Sequence, residues 1–137
     1  MTAFHFPITE DQLLKYGNFL YANIKNASHI PYKEVLISGK EAAPKNCHDN
    51  ARFFVEENPG HQYQDGWLCI IGEGSPLAMF AAHTVVMDSA GNYFDVTPVF
   101  SLDPRPFLPA NIDEDSFAEL IQYLFATRNS SVFSVNI

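Results

Sequence analysis

Apolar residues follow two different rhythms along this chain, and each rhythm predicts its own kind of element. Leu13, Tyr16, Leu20 and Ile24 recur every three or four residues, the period of a helix face. Thr9 and Gln12 stand just ahead of them in capping-box spacing, which predicts a helix capped at Thr9 and running to about Asn26. A second helix is predicted to open at Asn46-Cys47-His48-Asp49, with Asn46 as N-cap. It turns Ala51, Phe54 and Val55 inward and stops at Asn58-Pro59-Gly60. A third opens at Asn111-Ile112-Asp113-Glu114 and carries the stripe Phe117, Leu120, Ile121, Leu124 and Phe125.

Elsewhere the apolar residues bunch into short runs bounded by turn residues, as strands do. The runs are Gly66 to Ile71, Met79 to Met87, Tyr93 to Val99 and Ser131 to Ile137. Asp88-Ser89-Ala90-Gly91-Asn92 separates the second run from the third and predicts a hairpin. Helices in blocks beside a meander imply an α+β fold, helices packed on a small antiparallel sheet, with residues 1–137 as a single domain.

Composition narrows the class. Hydrophobic side chains make up 47% of the 137 residues and charged ones 18%, which excludes a disordered chain and fills a core of normal size. Phe4, Phe6, Phe100 and Phe107 fit none of the predicted elements, and the expectation is that they line a cleft or a self-association face of a homo-oligomer. Sixteen acidic against eight basic residues give a net charge of −8 with no basic cluster, so nucleic acid is excluded as a partner. No run approaches the ~18 apolar residues of a membrane span, and the first residues do not read as a secretory signal. Two cysteines build no disulfide framework. A reducing, cytoplasmic setting is expected, although an exported effector would have the same composition.

The candidate chemistry centres on Cys47. At the first turn of its helix the backbone N–H groups are unpaired and the dipole is positive, which favours a thiolate and can also hold an oxyanion. Such a thiol wants a cationic partner, usually a histidine. His83 interrupts an otherwise apolar strand, and Asp95 interrupts the next one. If Ser89, Ala90 and Gly91 form a three-residue loop, Val85 faces Asp95 and His83 faces Thr97. His83 and Asp95 are then diagonal neighbours on one face, ~5–8 Å apart at Cβ. A two-residue loop would place them on opposite faces. The first arrangement makes Cys47 nucleophile, His83 base and Asp95 orienter.

Those segments resemble a known architecture. Cys47-His48-Asp49-Asn50, Gly66-Trp67-Leu68, Ala82-His83-Thr84-Val85-Val86 and Phe94-Asp95-Val96-Thr97-Pro98 are similar to the papain-like fold in its broad sense. Within it they are nearest to the transglutaminase-like and NlpC-type cysteine peptidase branches, and to small bacterial proteins with the same pattern. Residues 46–98 carry the likeness. The resemblance implies a papain-like core, in which a cysteine helix is followed by a meander bearing His and Asp. It also implies acyl transfer through Cys47, His83 and Asp95. The substrate would be a peptide, a protein side-chain amide or another small acyl compound, attacked with no cofactor. Amide hydrolysis, deamidation and transamidation all remain open. No counterpart of the papain-type oxyanion glutamine stands in Gly39-Lys40-Glu41-Ala42-Ala43, so the second oxyanion or substrate donor is left among Asn46, His48, Asn50 and Trp67.

Two other readings compete. A zinc domain would draw on Cys47, His48, Cys69 and His83, but these lack the close C-x₂-C pairs of zinc sites, and no metal is expected. A non-catalytic interaction module on the same fold would keep the three residues as packing. Cys69, inside an apolar strand, is expected to be inert, and His5, His29 and His61 are expected to be exposed.

Overall fold

A computed structural model describes residue 4 and residues 7–42, 47–71, 74–98 and 106–137. Helix α1 (Glu10–Ala22) starts where its cap predicts, with Thr9 Oγ1 accepting from the Gln12 backbone N–H at 3.2 Å. It ends four residues short of the expected Asn26. The Asn23 side chain donates to the Phe19 carbonyl at 2.8 Å, competing with the helix's own bonds, and the chain tightens into a 3₁₀ turn over Ile24–Asn26. Two-residue strands follow: β1 (Ser28–His29), then β2 (Leu36–Ile37) and β3 (Lys40–Glu41), which pair with each other. Helix α2 (Cys47–Glu57) begins at the cysteine. Asn46, its expected cap, lies outside the described residues.

The sheet is built on the long hairpin of β4 (Gln62–Ile71) and β5 (Leu77–Met87), in which Asp65 faces Thr84 and Gly66 faces His83. Strand β4 starts four residues before its apolar run, because the polar stretch Gln62–Asp65 pairs in the same register. Strands β6 (Tyr93–Phe94), β7 (Pro106–Pro109) and β8 (Val132–Asn136) complete a curled antiparallel sheet in the order β1-β7-β4-β5-β6, with β8 also on β5. The outer edge of β5 is therefore shared. Residues 77–81 pair with β8 and residues 86–87 with β6. The sheet splits over the stretch between them, which contains His83. The strand expected from Tyr93 to Val99 leaves the ladder after Phe94, and Val99 lies outside the described residues.

Helix α3 (Glu114–Arg128) is capped by Asp113, whose carboxylate accepts the Ser116 N–H at 2.7 Å. Asn111, expected to open this helix, instead takes a left-handed turn conformation with φ 57°. From its stripe Phe117, Leu120 and Leu124 are buried, while Phe125 is 53% exposed. Helices α1 and α3 cover one part of the sheet around Tyr16, Trp67, Phe80 and Phe133. Trp67 Nε1 donates to the Tyr16 hydroxyl at 2.8 Å, which donates on to the Ala110 carbonyl at 2.6 Å. Helix α2 closes a second cluster of Ala51, Phe54, Val86, Phe94 and Val96. Two of the phenylalanines expected as spare surface belong to the core. Phe4 packs edge-on against Tyr16, and Phe107 is fully buried beside Ile30 and Val85. Phe6 and Phe100 lie outside the described residues. Among the described residues no helix is long and apolar enough to cross a membrane.

Gly66 is where the strands press closest. A Cβ there would stand 2.2 Å from the Leu108 carbonyl oxygen and 2.5 Å from the Phe107 ring. The clash is with backbone, so relaxation must move β7. Gly66→Ala is expected to destabilise the fold by about 1–3 kcal/mol or more, read as a lower urea midpoint at unchanged slope. An unchanged midpoint would show that β7 yields freely.

Candidate active site

The hairpin between β5 and β6 sets the register of the site. Asp88 accepts the backbone N–H groups of Ala90 and Asn92 at 3.0 and 2.9 Å, and Gly91 N–H closes the turn onto the Asp88 carbonyl at 3.0 Å. Gly91 holds φ 86°, which glycine adopts without strain. The loop is thus the three-residue one, and Val86 pairs with Phe94. Past Phe94 the chain turns away from β5. Asp95 N–H donates to the Pro31 carbonyl at 2.8 Å, and Lys33 N–H donates to the Asp95 carbonyl at 2.9 Å. With its main chain held by residues 31–33, Asp95 turns its carboxylate to His83, where Oδ2 lies 2.6 Å from Nε2. Its Oδ1 accepts the Thr97 N–H at 2.9 Å.

Both members of this pair are buried, with exposures of 7% each, whereas Cys47 is half-buried. Burial alone would push the His83 imidazole down. The hydrogen bonds to Asp95 and to the Cys47 side chain, together with the charges of both, outweigh it and raise His83 to about 9. Nε2 is committed to Asp95, so Nδ1 is the nitrogen left for the sulfur. Among the described strands none pairs with the outer edge of β5 beside His83.

The same turn of α2 supplies Asn50, buried, with Nδ2 donating to Thr97 Oγ1 at 3.1 Å. Cys47, His83, Asp95, Thr97 and Asn50 therefore form a circuit that leaves and re-enters one helical turn. Asn50 is brought to the site as a brace on Thr97. His48 points instead to a second polar cluster, its Nδ1 3.2 Å from Asp65 Oδ1 and 3.4 Å from Thr84 Oγ1. Trp67 is not brought to the site. It is fully buried between α1 and α3 and its only N–H donor is used on Tyr16, so it offers nothing to an oxyanion. Asn46 lies outside the described residues.

Cys69 sits in the main core, its thiol pushed up to about 12 by burial and 3.8 Å from the Trp67 carbonyl. Both cysteines are free thiols. Among the described residues no group of three or more His, Cys, Asp or Glu side chains converges as metal ligands would. His61, expected to be exposed, packs edge-on against Phe54 and Phe94. Asp65, Thr84 and Thr97 join these clusters without having been candidates for a role from the sequence. The strand alternation Tyr63, Asp65, Trp67 was the signal for Asp65, since it shares a face with the buried indole. No protein-family model, curated protein or solved structure matches this chain.

A raised histidine has a defined effect on stability. His83 binds its proton more tightly in the folded state than in the unfolded one, so its contribution is complete below pH ~6.5 and is lost as pH rises through about 9. The loss should be on the order of 2–3 kcal/mol. Urea unfolding at intervals from pH 6 to pH 10 should show it, and His83→Gln should abolish that slope. The same slope in the variant would place its source elsewhere.

Proposed function

We propose that the protein is a cysteine-nucleophile acyl-transfer enzyme with a papain-like catalytic arrangement. The observation that carries this reading is the buried His83–Asp95 pair at 2.6 Å, with a half-buried Cys47 at a helix start near enough to raise the proton affinity of His83. With Nε2 on an orienting carboxylate, the ring has Nδ1 left for the sulfur, as a nucleophile, base and orienter require.

The chemistry follows from that arrangement. His83 takes up the proton of the Cys47 thiol and stays beside the sulfur as the imidazolium. Sγ attacks the carbonyl carbon of an amide, and the oxygen takes up the negative charge. The Cys47 backbone N–H, at the positive end of α2, faces that charge as one donor. The tetrahedral adduct collapses as the C–N bond breaks, and His83 gives its proton to the leaving nitrogen. Neutral His83 then takes a proton from water or an amine, whose attack on the thioester releases the acid or the new amide and returns the sulfur as thiolate. Asp95, with its other oxygen on Thr97, keeps the ring oriented through both halves. The substrate class is a peptide, a protein side-chain amide or a related acyl compound.

Iodoacetamide near neutral pH should label Cys47 far faster than Cys69, and an electrophilic acyl probe should acylate Cys47 alone. Slow, equal labelling of the two thiols in folded protein would sink the enzyme reading and leave a binding module. On any amide the protein turns over, His83→Ala and Asp95→Asn should each lower kcat by about 10²–10⁴.

A further inference from the structure

Beside the proposed triad lies a second buried polar cluster that the chemistry above does not use. Asp65 is 8% exposed and Thr84 1%. Thr84 donates its hydroxyl to Asp65 Oδ1 at 2.8 Å, and the same oxygen faces His48 Nδ1 at 3.2 Å. The Asp65 main chain is fixed as well, its carbonyl accepting from Ala110 N–H at 2.9 Å and from Gln64 Nε2 at 2.8 Å. The Tyr63 ring stands edge-on to His48 at 5.7 Å, with its hydroxyl donating to Glu114 at 2.7 Å. A buried carboxylate costs more than an apolar side chain would in the same place, so the cluster is not explained by stability alone.

Register gives the cluster its meaning. Asp65 pairs with Thr84 and Gly66 pairs with His83, two successive rungs of the β4–β5 ladder. Of the first two residues of α2, His48 contacts Thr84 and Asp65 on one rung, and Cys47 lies near enough to His83 of the next to raise its proton affinity. A slip or rotation of the helix start that moved the sulfur from His83 would also pull His48 from two fixed acceptors. We propose that Asp65 and Thr84, acting through His48, are positioning residues that lock the first turn of α2 in register with β5 and so set the sulfur against the imidazole. The role rests on Cys47 being the activated nucleophile.

The test compares carboxamidomethylation of Cys47 by iodoacetamide from pH 5 to pH 10 with the thermal midpoint, in wild type, Asp65→Asn, Thr84→Val and Thr84→Ser. Peptide mapping keeps Cys69 separate, and rates are read well below each midpoint. Asp65→Asn and Thr84→Val should label Cys47 at least about tenfold more slowly at pH 7, with a rate that climbs steeply with pH as for an ordinary thiol. Thr84→Ser, which keeps the hydroxyl, should restore the wild-type rate and profile. If Thr84→Val does not fold, His48→Ala, at a half-exposed side chain, should give the same slow profile. Wild-type rates and profiles in folded Asp65→Asn and His48→Ala would overturn the positioning role, even if midpoints fall. A wild type that labels slowly and without preference for Cys47 would overturn the enzyme reading instead, so the two failures are distinct.

Discussion

An imidazole and a carboxylate 2.6 Å apart beneath the surface impose a demand that the surrounding structure has to meet. Each charge removed from water costs several kcal/mol unless it is paired and its remaining hydrogen-bonding capacity is filled. Asp95 meets this demand with the Thr97 N–H on its second oxygen and with residues 31–33 on its main chain. His83 meets it with the Asp95 carboxylate and with the nearby Cys47, which together hold its proton affinity up. The break in the ladder after Phe94, which in a plain meander would be a defect, is what frees Asp95 to turn toward His83.

The polar circuit and the apolar cores are arranged as complements. Trp67, Tyr16 and Phe133 fill the region under α1 and α3. There the Trp67 indole, the Tyr16 hydroxyl and the Ala110 carbonyl are matched by short bonds. Under α2 the apolar cluster is smaller, and the helix start is held by polar contacts: Asn50 to Thr97, His48 to Asp65 and Thr84, and Cys47 to His83. Apolar burial is non-directional, whereas hydrogen bonds weaken steeply as their angle departs from linearity. A site that depends on where a sulfur sits is better held by directional contacts than by grease.

Much of this was legible in the residues and some was not, for identifiable reasons. The hairpin at 88–92 could be read because Gly91 and Asp88 are local signals, and its loop length fixed the parity that brings His83 and Asp95 together. The Thr9 cap and the 117–124 stripe were legible on the same local grounds. The end of α1 was not, since a bond from Asn23 back to Phe19 leaves no mark in the apolar rhythm. Asp113 displaced Asn111 as the cap of α3 because either side chain can accept at a helix start, and only the turn geometry chooses between them. Trp67 stood among the donor candidates through the Gly66-Trp67-Leu68 segment, but strand alternation carries it to the core under α1 and α3. Phe4 and Phe107 looked spare because each is buried by partners distant in sequence, which no local period reports.

The meeting of a thiol with a histidine held by a buried carboxylate is the central claim, and the ionisation of His83 reports on it most directly. Nuclear magnetic resonance titration of the His83 ring, in wild type and in Cys47→Ala, isolates the sulfur's share. A midpoint near 9 that falls measurably when the sulfur is removed is the predicted result. A His83 that titrates near the ordinary ~6.5 and is indifferent to Cys47 would contradict it.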